Sequence, residues 1–312
     1  MNIPKQSPVI WAVGGGKGGV GKSVMSTLIA LSLSKMGHKT ILMDVDFGGA
    51  NLHTLLGIKN SPRTVYDYLQ KKYSNLVDIC IDTEVDNLRI LSGASDILPL
   101  ANLKYAQKIK IIQSIFQLDT DHVVMDLGAG TSYNVLDFFL IAHNKVVVLT
   151  PQPGSIQNAY AFVRNGVYRK ISRLTSQKTP LFTMIQSVMD PNNELKVKTI
   201  KELLQLIQTD GSREDADMLR REIQGIQPML ITNMIRNSED KNAARIIQLL
   251  AEKYLMIHPA IMAGIAYDPK INAMVSRMVP LTRIEDTNRM LKSVEEISER
   301  LSATAGMPPS KA

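Results

Sequence analysis

A chain of 312 residues with 45% hydrophobic content can bury a large core, and its formal charge of +7 favours anionic ligands or partners. A single cysteine, Cys80, excludes an internal disulfide and any metal site built from two or four cysteines of one chain. Met1 to Pro8 is polar and contains proline, which is no secretory signal, and no run reaches the length of a membrane span, so a cytoplasmic protein is expected.

The apolar run Val9 to Val13 reads as a buried strand, and Val24 to Met36 as an amphipathic helix. Between them stands Gly14-Gly15-Gly16-Lys17-Gly18-Gly19-Val20-Gly21-Lys22-Ser23, in which Gly16 to Ser23 fit G-x-x-x-x-G-K-[ST]. Glycines there let backbone N–H groups close around a polyphosphate, and a helix starting near Gly21 aims its positive end at the same anion. Gly16, Lys17, Gly18, Gly19, Val20, Gly21, Lys22, Ser23 and Val24 are therefore the expected nucleotide contacts, with Lys22 on the β- and γ-phosphates and the Ser23 hydroxyl on Mg²⁺.

Thr40 to Asp44 is a second strand, and Asp44-Val45-Asp46 follows at its carboxyl end, where ligands of parallel sheets bind. Carboxylates here suit the Mg²⁺ shell and the orientation of an attacking water. Pro62 to Lys72 reads as helix, Leu88 to Leu91 as strand, and Asn102 to Gln117 as a helix whose Lys104, Lys108 and Lys110 form a solvated face. His122 to Asp126 is a strand closed by an aspartate and then Gly128 and Gly130, so Asp126 is assigned to the metal shell and the glycines to a backbone that swings toward a γ-phosphate.

Lys145 to Thr150 is another buried strand, followed by a long helix from Ile156 to about Leu174. Val163, Val167, Ile171 and Leu174 make its core stripe, and Arg164, Arg169, Lys170 and Arg173 ring the other side as a basic face for DNA or another acidic surface. No Asp or Glu occurs between Asp137 and Asp190, which strengthens that face. From about 175 to 227 the composition turns helical and charged around a strand-like Leu181 to Ile185, an insertion in a single domain spanning 1–312. Pro228 to Ile235 returns to strand, Ser238 starts a helix to Tyr254, and a packing helix covers about 283–301.

Lys17 separates this loop from an ordinary one. The form Lys17-Gly18-Gly19-Val20-Gly21-Lys22-Ser23 resembles the deviant Walker A motif of the MinD/ParA group of ATPases, and Asp126-x-Gly128-x-Gly130 looks like the switch II of its flagellar-number branch. The spacing from Asp44 and Asp46 to Gly48 and Asn51 resembles the group's switch I. The resemblance covers about Val9 to Pro280, the insertion excepted, and implies an α/β fold: a mostly parallel twisted sheet with helices on both faces. It also implies that Lys17 reaches the nucleotide of a partner subunit in an ATP-bound homodimer, that Asp46 positions water, and that Asn233 lies against the adenine edge. Lys17, Lys22 and Asp46 are then the catalytic set, and Ser23, Asp46 and Asp126 the metal set. Ala266 stands where the group's G-x-I-P-x-D segment has proline.

The function implied is an ATP-switched, slowly hydrolysing dimer that positions or counts a cellular structure and answers to a protein effector. A chromosome or plasmid partitioning ATPase on nonspecific DNA is the alternative, ahead of a septum-site ATPase or a small-molecule ligase of the same fold. The tail from Ser302 to Ala312 forms no amphipathic membrane-targeting helix, which leaves recruitment to a pole, the nucleoid or a membrane surface open. Iron–sulfur carriers that share the loop need paired cysteines, and this chain has one.

Overall fold

The computed structural model describes residues 7–47, 52–59, 62–93, 103–175, 182–185, 197–210 and 212–305. Eight strands form one sheet: β1 (Val9–Gly14), β2 (Thr40–Asp44), β3 (Ile81–Asp82), β4 (Leu88–Leu91), β5 (His122–Asp126), β6 (Asn144–Leu149), β7 (Pro228–Ile235) and β8 (Ala260–Ala266). Their order is β3-β4-β2-β5-β1-β6-β7-β8, with every pair parallel except β3 and β4. Among the described residues the helices are α1 (Lys22–Lys35), α2 (Leu52–Leu55), α3 (Val65–Leu69), α4 (Tyr105–Ile115), α5 (Tyr133–Ile141) and α6 (Pro153–Leu174). Beyond the one turn at 182–185 come α7 (Ile200–Asp210), α8 (Arg213–Gln224), α9 (Ala243–Leu255), α10 (Pro269–Ser276) and α11 (Arg289–Ala305).

The central strands read as unbroken apolar runs because both faces are covered. Alternate side chains serve two separate cores. Ile10, Ala12, Ile41, Met43, Val123 and Met125 point to a core shared with Phe138 of α5 and Phe162 and Val167 of α6. Trp11, Val13, Leu42, Val124 and Val146 point the opposite way, to Met25 and Leu28 of α1 and Leu291 and Val294 of α11. Leu203, Leu204 and Ile207 of α7 and Leu219 and Ile223 of α8 join the first core, so these helices of the 175–227 stretch extend one face of the sheet.

Several expectations need correction. The helix α1 is not amphipathic: it is buried on nearly every side, and its Ser26, Thr27, Ser32 and Ser34 hydroxyls donate to carbonyls three or four residues back, which satisfies them inside a core. Helical structure in the Pro62 to Lys72 stretch is confined to α3. Residues 182–185 are helical where a strand was expected. Lys108 is not on a solvated face, being 4% exposed and paired with buried Asp137. Gly48 and Asn51 lie outside the described residues.

Candidate active site

The phosphate loop leaves β1 at its carboxyl end and enters α1. At Gly16 a Cβ would lie 2.0 Å from the Asn158 carbonyl oxygen, so only glycine lets the loop lie against α6. Gly21, the residue before α1, adopts φ +93°, a left-handed conformation that glycine takes without strain. No acidic residue occupies the first turn of α1, which leaves its N-terminal N–H groups and positive dipole end uncompensated. Lys22 is 8% exposed, and its Nζ donates to the Lys17 carbonyl at 3.3 Å. Burial lowers its pKa, while Asp126 and Asp46 pull it back up, so this ammonium is held short of counter-charge at the mouth of the loop. Lys17 itself is exposed and sits beside Gly154 at the start of α6.

The carboxylates come from neighbouring strands. Asp126 ends β5 and pairs in register with both Val13 of β1 and Asp44 of β2. Asp126 is 4% exposed, and its Oδ1 is buried with no hydrogen-bond partner. Burial pushes its pKa up to about 6 against the pull of the Ser23 hydroxyl and Lys22. An orphaned buried carboxylate oxygen beside a serine hydroxyl is a costly arrangement unless a cation completes it. The described residues contain no cluster of three or more His, Cys, Asp or Glu able to cage a metal. The Ser23 hydroxyl and the orphaned Asp126 carboxylate would suit Mg²⁺, which keeps waters and leans on substrate phosphates.

Asp44 and Asp46 divide their work in a way the sequence did not show. Both oxygens of Asp44 accept backbone N–H groups, from Asp46 at 3.0 Å and Leu52 at 3.2 Å. Asp44 thus ties the two ends of its loop together, and burial with the nearby Asp126 charge raises its pKa to about 7. Asp46 is half-buried and packs against Gly128, where a Cβ would come within 3.2 Å of its carboxyl group. The loops after β1, β2 and β5 consequently meet at one edge of three adjacent strands, bringing Lys22, Ser23, Asp46 and Asp126 together.

Beside Ser23 and Val24 opens a cavity of about 500 Å³, walled by apolar groups of Met234, Tyr267, Ile271 and Met278. Asn233 borders it but faces the loop: it is 2% exposed, its Nδ2 donates to the Val20 carbonyl at 2.9 Å, and its Oδ1 accepts from the Met234 N–H at 2.9 Å. Backbone groups thus engage both ends of the buried amide that the resemblance set against the adenine edge. Asp268, also at the cavity, caps α10 through the Lys270 and Ile271 N–H groups and accepts from Asn288.

The basic face on α6 is mostly spent on carboxylates. Arg169 makes two 2.8 Å bonds to Asp137, Arg173 stands 3.6 Å from the same group, and Lys170 pairs with Glu222 at 2.7 Å. Arg164 remains exposed. The sequence missed Asp137 because its partners lie on α4 and α6, far from it in the chain.

A family model described as ParA, NUBPL iron-transfer P-loop NTPase, matches residues 7–248. The antiactivator FleN of Pseudomonas aeruginosa is 34% identical over 155 residues, 49% of this chain and 54% of FleN. The septum site-determining protein MinD of Helicobacter pylori is 30% identical over 48% of this chain and 56% of its own length. The flagellum site-determining protein YlxH of the same organism is 30% identical over 49% and 52%. The matched part of this chain thus spans about half the length of these relatives. In fold, the chain matches MinD complexed with Mg-ADP from Pyrococcus horikoshii OT3 at a TM-score of 0.64, with 18% identity over 96% of this chain and 98% of that one. A ParA family ATPase from Chlorobium tepidum TLS gives 0.63, with 12% identity over 95% and 99%.

Proposed function

This chain belongs to the ParA family of P-loop NTPases, and on that premise we propose that it is a Mg²⁺-dependent ATPase working as a dimerisation switch that positions or counts a cellular structure. The observation that carries the reading is the meeting of Lys22, Ser23, Asp46 and Asp126 from three loops, with one carboxylate oxygen of Asp126 orphaned. The loop N–H groups and Lys22 bind the β- and γ-phosphoryl oxygens. Mg²⁺, when bound through Ser23 and the Asp126 side, supplies counter-charge to those oxygens. Asp46 orients the attacking water, and its packing on Gly128 links that water to the backbone after β5. Lys17, exposed at the rim, crosses to the nucleotide of a second copy.

The flagellar-number reading is supported by the FleN and YlxH likenesses. The partitioning reading draws only on the α6 face, whose Arg169, Lys170 and Arg173 already have carboxylate partners. An iron carrier is not favoured by the residues: Cys80 is the chain's one cysteine, and burial pushes its thiol up to about 11, away from the thiolate a cluster needs.

Three variants test the switch by equilibrium nucleotide binding and sedimentation. Lys22→Ala loses ATP binding. Asp46→Ala keeps ATP and accumulates dimer, and a monomeric Asp46→Ala protein in saturating ATP contradicts the role given to Asp46. Lys17→Ala binds nucleotide but dimerises at least about tenfold more weakly, and unchanged ATP-dependent dimerisation removes the contact in trans.

A further inference from the structure

Three helices converge on one carboxylate away from the phosphate loop. Asp137 of α5 is 2% exposed and receives Lys108 of α4 together with Arg169 and Arg173 of α6, three cations on one anion. Arg169 is held at both ends of its guanidinium, and its plane lies over the ring of Tyr133 at 4.3 Å. Tyr105 adds its own influence on the same guanidinium, and Lys108 lies 5.8 Å from its ring. Yet Tyr105 and Tyr133 are 71% and 66% exposed, among the most exposed large hydrophobic side chains of the described residues.

We propose that Tyr105, Tyr133, Arg169 and Arg173 form a docking surface for an acidic segment of a partner protein. The charge balance points that way: two positive charges remain after Asp137 is counted, and Arg173, with 39% of its side chain exposed, presents one of them outward. Rigidity points the same way, since tyrosines and an arginine pinned by a buried carboxylate supply contact area at little entropy cost, the composition of binding hot spots. A second copy of this chain fits poorly, because a two-fold contact would set these unbalanced cations against themselves. Along the chain the surface follows the phosphate site closely: α5 begins at Tyr133, and Asp126 ends the preceding strand β5.

The test needs no nucleotide, so it stands apart from the ATPase reading. A fluorescent glutamate–tyrosine copolymer is titrated with the full chain and followed by anisotropy. The double variant Tyr105→Ala/Tyr133→Ala keeps every charge and ion pair, and its affinity is expected to fall about tenfold or more. Tyr105→Phe/Tyr133→Phe, which keeps the rings, is expected to bind within about twofold of the parent and controls for misfolding. Equal affinity of the parent and alanine variants overturns the proposal. So does a duplex DNA that binds the parent more tightly with the same loss in the alanine variant, or self-association of the parent abolished by it.

Discussion

Asn233 borders the cavity beside the phosphate loop, and backbone groups engage both ends of its amide. Met234 adopts φ 60°, an uncommon left-handed value for a side-chain-bearing residue, and this turns its N–H onto the Asn233 Oδ1. The amide orientation is thereby set, and its N–H₂ end is left to hold the Val20 carbonyl inside the phosphate loop. Asn233→Ala should therefore weaken ATP and GTP by the same factor, about tenfold for one lost buried hydrogen bond, in competition titrations. A loss confined to ATP would return the amide to the adenine edge. The loop glycines, Lys22 and Ser23 were legible in the sequence because their geometry is local: strand, turn and helix follow one another within the motif. The hydrogen bonds of Asp44 and Asn233 were not, since they depend on how each loop closes: Asp44 on the Asp46 and Leu52 N–H groups, Asn233 on the Val20 carbonyl of the phosphate loop.

Between elements, the contact that most needs three dimensions is the Asp137 hub. Burial alone would raise the carboxyl pKa, but bonds from Arg169 and Lys108 outweigh it and hold the group below the ordinary carboxylate range. Removing the anion leaves Lys108 buried and Arg169 partly buried without a counter-charge. Asp137→Ala should cost about 3–5 kcal/mol of unfolding free energy by denaturant titration, the range for breaking a buried pair. A loss under about 1 kcal/mol would mean that solvent already screens the cluster. The same contact explains why Lys108 was misread: a lysine at helical spacing looks solvated until a carboxylate from another helix is packed over it. The buried helix α1 was misread for a related reason, since its serines and threonines resemble a wet face but bond to their own helix.

Across the whole molecule, the end of the sheet opposite the phosphate loop carries an acid-sensitive joint. His122 of β5 accepts the Trp11 indole N–H at 3.2 Å, with His38 stacked edge-on and Asp121 nearby. Burial, helped by His38 and opposed by Asp121, lowers its pKa to about 4 from 6.5. The unfolded chain therefore takes a proton first. Stability is unaffected by this group above pH 6.5 and is lost as the pH falls from 6.5 toward 4, by up to about 3 kcal/mol. Unfolding curves of the parent and His122→Asn should converge across that window, and parallel pH profiles would show that the imidazole stays dry at no cost. Strand character, the nucleotide loop and the α/β class were determined by the sequence itself, because apolar runs buried on both faces and a glycine loop between strand and helix are statements about neighbours in the chain. Strand order was decided only by the tertiary structure, since it sets β5 between β1 and β2 across long stretches of chain. So was the pairing of Asp137, because burial and charge balance depend on what arrives from elsewhere.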